Sequence, residues 1–207
     1  HVVCRRQRQM CIRDSWLDGP EAPPEARLDR IHLTAELDIF GLTYERFFPE
    51  VFKAEHGQYF TPRPLVELMC DLADVRSTDR VLDPTCGSGT FMVVARSRGA
   101  DVDGIEVDPE LVALCRLNLA LHGVNPRSVR QADLFRDRPA EQWDVVLANP
   151  PFSVRIDDPE ALRHFSLARG RGRVVSDTLF LQAAHDRLRP GGRMAVVLPR
   201  SILTNDG

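Results

Sequence analysis

Three short stretches of this 207-residue chain carry residue types that do chemistry. The rarest is Asn149-Pro150-Pro151-Phe152, which follows the apolar run Trp143 to Ala148. At average residue usage this tetrapeptide arises by chance in a chain of this length on the order of once in a thousand. Asn-Pro also starts turns. The stretch therefore reads either as a tight turn leaving a strand or as a polar lip at the strand's carboxyl end, where open α/β sheets bind ligands. The second stretch is Asp83-Pro84-Thr85-Cys86-Gly87-Ser88-Gly89. Its glycines let backbone approach a ligand closely, and a helix opening after them offers unpaired N–H groups and the positive end of its dipole. It lacks the third glycine of the dinucleotide fingerprint, because Met92 stands in that place. The third feature is Glu106, 23 residues after Asp83. A carboxylate there either accepts both hydroxyls of a ribose or is a solvated strand end. Asp133 follows a further short apolar run.

These residues need elements to position them. From residue 80 onward, strand-like and helix-like runs alternate. Val81–Leu82, Val102 to Val107, Val129 to Ala132, Trp143 to Ala148 and Met194 to Leu198 read as strands, the fourth apolar enough to be buried on both faces. Helices are expected over Thr90 to Ser97 and after Asp108-Pro109-Glu110, the latter carrying Leu111, Leu114, Cys115, Leu117 and Leu121 and closed by Gly123. A third should open at Ser176 with Phe180, Ala183, Ala184 and Leu188 and stop at Pro190-Gly191-Gly192. This order predicts an α/β fold with a doubly wound, mostly parallel sheet. Upstream, Thr61 reads as an N-cap with Pro62 at the first helical position, and Leu65, Leu68, Met69 and Leu72 as the apolar stripe of that helix. Before it come a Pro-rich linker, Gly19 to Ala26, and two short helices over Leu28 to Phe40 and Thr43 to Lys53.

Hydrophobic residues make up 43% of the chain and charged residues 28%, which excludes a disordered or collagen-like protein. No apolar stretch reaches the roughly 18 residues of a membrane span. The five cysteines (Cys4, Cys11, Cys70, Cys86, Cys115) form no C-x-x-C pair, which fits reduced thiols and a cytoplasmic protein. The histidines show no ligand spacing, so no metal site is expected. A net charge of −3 excludes a nucleic-acid binder held by bulk charge, so any nucleic-acid contact must be local or shared with a partner. One local candidate holds Arg163, His164, Arg169, Arg171 and Arg173, with no acid between Glu160 and Asp177. It reads either as a phosphate-contacting loop or as a solvated one. Residues 1–15, basic and without the apolar core of a signal peptide, read as a non-native leader. Residues 16–60 then form the linker and N-terminal helices, and 61–207 a catalytic domain expected to be truncated after strand five.

Taken together, these stretches resemble the N6-adenine DNA methyltransferases, specifically the modification (M) subunits of type I restriction–modification systems. The motifs stand in that family's order: GQYFTP (Gly57 to Pro62), DPTCGSGTF (Asp83 to Phe91), GIEVDPE (Gly104 to Glu110), AD (Ala132-Asp133), NPPF (Asn149 to Phe152) and LRPGGRMAVVLP (Leu188 to Pro199). The similarity covers about residues 38 to 205. The resemblance implies a Rossmann-like class I methyltransferase using S-adenosyl-L-methionine on double-stranded DNA, with a specificity (S) subunit and a restriction subunit as partners. It implies cofactor contacts at Tyr59, Phe60, Thr61, Asp83, Thr85, Gly87, Ser88, Gly89, Glu106, Val107, Asp133 and Leu134. Among these, Thr61 would hold the methionine carboxylate, and Asp83 and the Gly87–Gly89 turn would shape the methionine pocket. Glu106 would bind the ribose, and Asp133 would read the cofactor's adenine amino group. Asn149, Pro150, Pro151 and Phe152 would form the catalytic lip, with Asn149 and Pro150 holding the target base and Phe152 stacked on it.

The lip also has a physical rationale. An adenine amino group is a poor nucleophile because its lone pair is delocalised into the ring. Two neutral acceptors, the Asn149 side-chain oxygen and the Pro150 carbonyl, would draw its N–H donors out of the ring plane and free that lone pair. Positioning and preorganised acceptors then supply the barrier reduction, with no strong base required. The nearest alternatives keep the cofactor and change the substrate, since RNA and release-factor glutamine methyltransferases also carry N-P-P-[FY]; GQYFTP argues against them. A non-catalytic DNA-binding subunit keeping the fold is disfavoured because every expected polar residue is retained, and a nicotinamide-dependent dehydrogenase is weaker still. A sheet ending at strand five should leave that strand's outer edge unpaired.

Overall fold

The computed structural model describes residues 61–137, 141–152, 154–170 and 172–203, together with two mutually paired two-residue strands, Val2–Val3 and Met10–Cys11. The helices expected over 28–40 and 43–53, and the site candidates Tyr59 and Phe60, lie outside the described residues. Five parallel strands form the sheet: β1 (Arg80–Asp83), β2 (Asp101–Glu106), β3 (Val129–Gln131), β4 (Trp143–Ala148) and β7 (Leu188–Val196). Their order across the sheet is β3-β2-β1-β4-β7. Helices α1 (Arg63–Leu72), α2 (Thr90–Ser97), α3 (Pro109–Leu121) and α5 (Ser176–His185) flank it. Between β4 and α5 lies a small excursion closed by an antiparallel ladder of β5 (Arg155–Ile156) with β6 (Val174–Val175), enclosing the single-turn α4 (Pro159–Leu162).

Alternation along the strands divides the interior into two cores. Val81, Val145 and Leu147 pack on one face with Val66, Phe91 and Leu119 from α1, α2 and α3. Leu82, Val146 and Ala148 pack on the other with Phe165, Leu179 and Phe180. The doubly wound parallel sheet expected from the sequence is therefore the observed fold. Among the described residues, no helix is long and apolar enough to cross a membrane.

Three local expectations are corrected. The first helical residue is Arg63, one later than expected, with Pro62 rather than Thr61 as N-cap. The Thr61 hydroxyl accepts a bond from Asn149 instead of capping the helix. The apolar stripe of α1 is rotated by one residue. Val66, Met69, Cys70 and Ala73 are buried, while Leu65, Leu68 and Leu72 are 37%, 51% and 75% exposed. Both sets have helical spacing, and packing of α1 on α2 selects between them. Finally, Leu188 belongs to β7, and Pro190-Gly191-Gly192 lie inside that strand rather than ahead of it. The register passes from Trp143↔Leu188 to Val145↔Arg193, so a bulge absorbs the extra residues, with Gly191 at φ +79°. Among the described residues β7 pairs only with β4, and a proline is tolerated at such a bulge.

Ion pairs fasten β7 to its surroundings: Arg189 with Asp144 on β4, and Arg193 with the buried Asp79 and, at 3.7 Å, with Asp74, both ahead of β1. Asp144 also accepts from the Arg80 backbone N–H at 2.6 Å, and Asp79 from that of Arg76 at 2.8 Å. Removing Arg193 leaves a buried carboxylate without its cation. Arg193→Met should therefore cost about 2 kcal/mol, below the roughly 3–5 kcal/mol of a fully buried pair because the arginine is partly solvated. Urea unfolding with an unchanged m-value would show it. A midpoint equal to that of the parent chain would contradict this role for the pair.

Candidate functional site

The site begins where β1 ends. Asp83 closes the strand, residues 84–89 turn, and α2 opens at Thr90. Gly89 is the helix N-cap at φ +86°, and a Cβ there would lie 2.6 Å from the Cys115 sulfur, so only glycine lets the turn close onto α3. Asn118, fully buried on α3, donates to the Ser88 carbonyl at 2.9 Å. The Cys86 N–H donates to the Ile105 carbonyl at 3.0 Å. Glu106, at the end of β2, ties the neighbouring strand to the same turn. One oxygen accepts from Gly87 N–H at 3.0 Å, and the other from Val107 and Asp108 N–H at 2.8 and 3.0 Å. The acid anticipated as a ribose acceptor is thus oriented by three backbone donors before any ligand arrives.

Asp83 is 1% exposed. Its Oδ1 accepts from Thr85 N–H at 3.1 Å, while Oδ2 has no partner. Burial raises its pKa to about 8; the Thr85 bond opposes the shift and the Glu106 charge adds to it. The Cys86 thiol is held well above the ordinary thiol range, by its hydrogen bond to Cys115 and then by burial.

A cavity of about 220 Å³ opens at the carboxyl ends of these strands. Asp83, Thr85, Gly87 and Ser88 from the turn line it, with Glu106 and Val107 from the end of β2. Asp133 and Leu134 line it from beyond β3, and Thr61, Asn149 and Pro151 are also on the wall. Gly89 lies beneath this surface. Pro150 is buried and Phe152 half-buried, and neither is on the cavity wall. The Asp133 carboxylate accepts from Phe135 N–H at 2.9 Å. Among the described residues no cluster of metal-ligating side chains occurs.

Asn149 has the most informative side chain. Its Nδ2 donates to Thr61 Oγ1 at 3.0 Å. Its Oδ1 is buried and has no partner. A buried carbonyl oxygen left unpaired costs about 1–3 kcal/mol, so its persistence beside a cavity points to a donor supplied by a ligand. The lip is braced from α5: Ser176 N–H donates to the Val154 carbonyl at 2.7 Å, and Ser176 Oγ to the Pro151 carbonyl at 3.4 Å.

Several contributors were not legible in the sequence. Val154, Ser176, Phe180 and Phe135 line the cavity through tertiary approach, and no local pattern marks them. Arg187 is 3% exposed and donates to the carbonyls of Ala183, Leu134 and Asp137. It pins the turn that carries Asp133 and Leu134, although an arginine just past a helix ordinarily reads as solvent-facing.

Residues 35–207 match the family model described as N-6 DNA Methylase. The type I restriction enzyme EcoEI methylase subunit of Escherichia coli is 30% identical over 193 residues, covering 83% of this chain and 39% of that protein. The crystal structure of a modification subunit of a putative type I restriction enzyme from Vibrio vulnificus matches with a TM-score of 0.67 and 26% identity, over 84% of this chain and 42% of that one. A type I restriction–modification methyltransferase subunit from Streptococcus thermophilus gives 0.60 and 26%, over 70% and 35%. The chain spans less than half the length of each of these relatives.

Asp83 gives the site a pH signature. An ordinary aspartate ionises near 3.8, whereas this one does so at about 8 in the fold. Between those values the native state keeps a proton that the unfolded chain has released, so Asp83 makes stability fall as pH rises through the window and level off above it. Asp83→Asn should flatten that fall and raise the urea midpoint at mildly alkaline pH. Identical pH profiles for the two proteins would show that the carboxyl is not held neutral.

Proposed function

The chain belongs to the N-6 DNA methylase family, and from that premise we propose that it transfers a methyl group from S-adenosylmethionine to the N6 amino group of adenine in double-stranded DNA. In this reading it is part of the modification subunit of a restriction–modification system. Sequence reading by a separate specificity (S) subunit, with a restriction subunit alongside, belongs to the same proposal. The observation that carries it is the unpaired, buried Asn149 Oδ1 at the rim of a cavity lined by acids.

The residues present fit the cofactor. S-adenosylmethionine carries a sulfonium and an ammonium, and the lining supplies three acids, Asp83, Glu106 and Asp133. Asp83 Oδ2 and Thr85 Oγ1 are buried polar atoms still lacking partners. The backbone at Gly87 faces open space, with no atom within 4 Å of where a Cβ would stand. Asp83, Thr85 and the Gly87–Gly89 turn would hold the methionine end, with the Thr61 hydroxyl donating to its carboxylate. Glu106 would accept from the ribose hydroxyls, and Asp133 with Val107 and Leu134 would hold the adenine. When bound, the cofactor supplies an electrophilic methyl group on a positively charged sulfur.

The chain's own residues then act on the substrate amine. Asn149 Oδ1 accepts one N–H and the Pro150 carbonyl the other, which localises the nitrogen lone pair. With its proton given to the cofactor carboxylate, the Thr61 oxygen can only accept, so it holds the Asn149 nitrogen and leaves the carboxamide oxygen facing the amine. Both acceptors are neutral and stay in place as positive charge develops on the nitrogen, so little reorganisation accompanies the step. The methylated nitrogen then releases one proton to water to become a neutral amine. Taking the base out of the duplex costs a few kcal/mol, part of which stacking on Phe152 would offset.

The full-length protein with its copurifying subunits provides the test. Asn149→Ala should bind the cofactor nearly as well as the parent by calorimetry, and lose tritiated methyl transfer to duplex DNA by a factor of 100 or more, on the order expected for a preorganised electrostatic group. Equal loss of binding and transfer would contradict the role given to Asn149. Transfer by the parent protein to RNA or to a release factor, but not to DNA, would overturn the substrate.

A further inference from the structure

The excursion between β4 and α5 is the part of the molecule that the reading above leaves unused. It springs from the lip itself: Val154 lines the cavity, and the β5–β6 ladder follows directly. The sequence left open whether its arginines sit on a solvated loop. The structure shows a seated cap. Leu162, Phe165, Ala168 and Val174 are buried in the same core as Leu82 and Val146. The Phe165 ring meets Phe135, which lines the cofactor cavity, edge to face at a centroid distance of 5.8 Å. A cap anchored in this way holds its outer surface in a fixed relation to the site.

That outer surface is basic. Arg155, Arg163, Arg169 and Arg173 are all exposed on it. The acids nearby already face arginines: Asp158 faces Arg136, Asp157 faces Arg173 at 3.4 Å, and Glu160 faces Arg163 at 3.4 Å. The last two are long, exposed pairs of the kind worth at most about 1 kcal/mol, so their arginines can be recruited elsewhere at small cost. Arg155 and Arg169 make no ion pair among the described residues. Between Arg163 and Arg169 lies a shallow depression floored by Leu162 and Ala168, with the side-chain-free Gly170 at φ +74° on its rim. Paired guanidinium groups beside bare backbone suit a tetrahedral oxyanion, because the planar fork of arginine matches phosphate oxygens two at a time.

We infer that the outer face of this cap docks the phosphate backbone of DNA beside the target adenine, with Arg163 and Arg169 gripping one stretch of backbone across the depression and Arg155 contacting it nearer the lip. This rests on the DNA substrate proposed above. It also gives a chain of net charge −3 a local group of exposed arginines, next to the chemistry, with which to engage a polyanion.

The test uses the full-length protein with its copurifying subunits and a short duplex. The double variant Arg163→Gln/Arg169→Gln should bind cofactor as the parent does. Its Kd for the duplex should weaken about tenfold or more near physiological salt. The slope of log Kd against log salt should shrink by about 2, at roughly 0.9 per lost phosphate contact. Arg127→Gln, at the opposite end of the sheet, should change neither. An unchanged Kd and slope with cofactor binding intact would overturn the inference and leave the proposed activity standing. Loss of a copurifying subunit with DNA affinity retained would also overturn it, because the face would then dock protein. A parent protein that binds cofactor but no DNA would overturn the proposed substrate and this inference together.

Discussion

A carboxamide donates at one end and accepts at the other, and the end already engaged decides which one a ligand meets. In this protein Thr61 engages the Asn149 nitrogen at 3.0 Å, leaving the oxygen buried and unpaired at the cavity rim. With the amide reversed, the site would present a donor and would repel an amino group rather than hold one. The rest of the site can be understood as what keeps that single hydrogen bond in place. Thr61 is fixed by the start of α1, where Pro62 caps the helix. Asn149 is fixed by the fully buried β4 and by the lip that Ser176 braces from α5. The bond joins residues 88 positions apart, so it exists only once the sheet and α1 are assembled.

The glycine turn is the second constraint, and it works by closeness. Gly89 permits contact with Cys115, Asn118 holds the Ser88 carbonyl, and Glu106 holds the Gly87 N–H. Three contacts, two from α3 and one from β2, thereby set one short loop before any ligand binds, which limits the ordering cost of binding. The cost of the arrangement is carried by buried polar groups with incomplete partners, Asp83 above all. Its neutral form is the one that burial favours, and a cation placed beside it would favour the charged one.

What was legible in the sequence follows from how local each signal is. The strand–helix alternation and the Asp108 cap depend on neighbouring residues alone. The structure places Asp108 as read, accepting from Glu110 and Leu111 N–H. The ends of β1, β2 and β4 were found because glycine, acid and NPPF signals follow apolar runs directly. Other features turned on tertiary competition. Two apolar stripes on α1 have equivalent spacing, and only the neighbouring helix decides between Val66 and Leu65. Pro190-Gly191-Gly192 reads as a stop because its place in β7 depends on a bulge against β4, where no ladder partner is required. Thr61 reads as a cap because its actual partner lies far along the chain. Arg187 gave no sign of burial, since its acceptors are backbone carbonyls on another loop.

The central claim is that Thr61, its own proton given to the cofactor carboxylate, sets the polarity of the Asn149 carboxamide, and single-turnover methyl transfer at saturating cofactor and DNA tests it most directly. Saturation removes any effect of Thr61 on cofactor affinity, leaving the chemical step. The account predicts that Thr61→Ser, which keeps the acceptor oxygen, stays within about threefold of the parent rate. Thr61→Val, which removes it while keeping the shape, should fall at least about tenfold, the equivalent of one net hydrogen bond of roughly 1.4 kcal/mol. A valine variant as fast as the serine variant would contradict it.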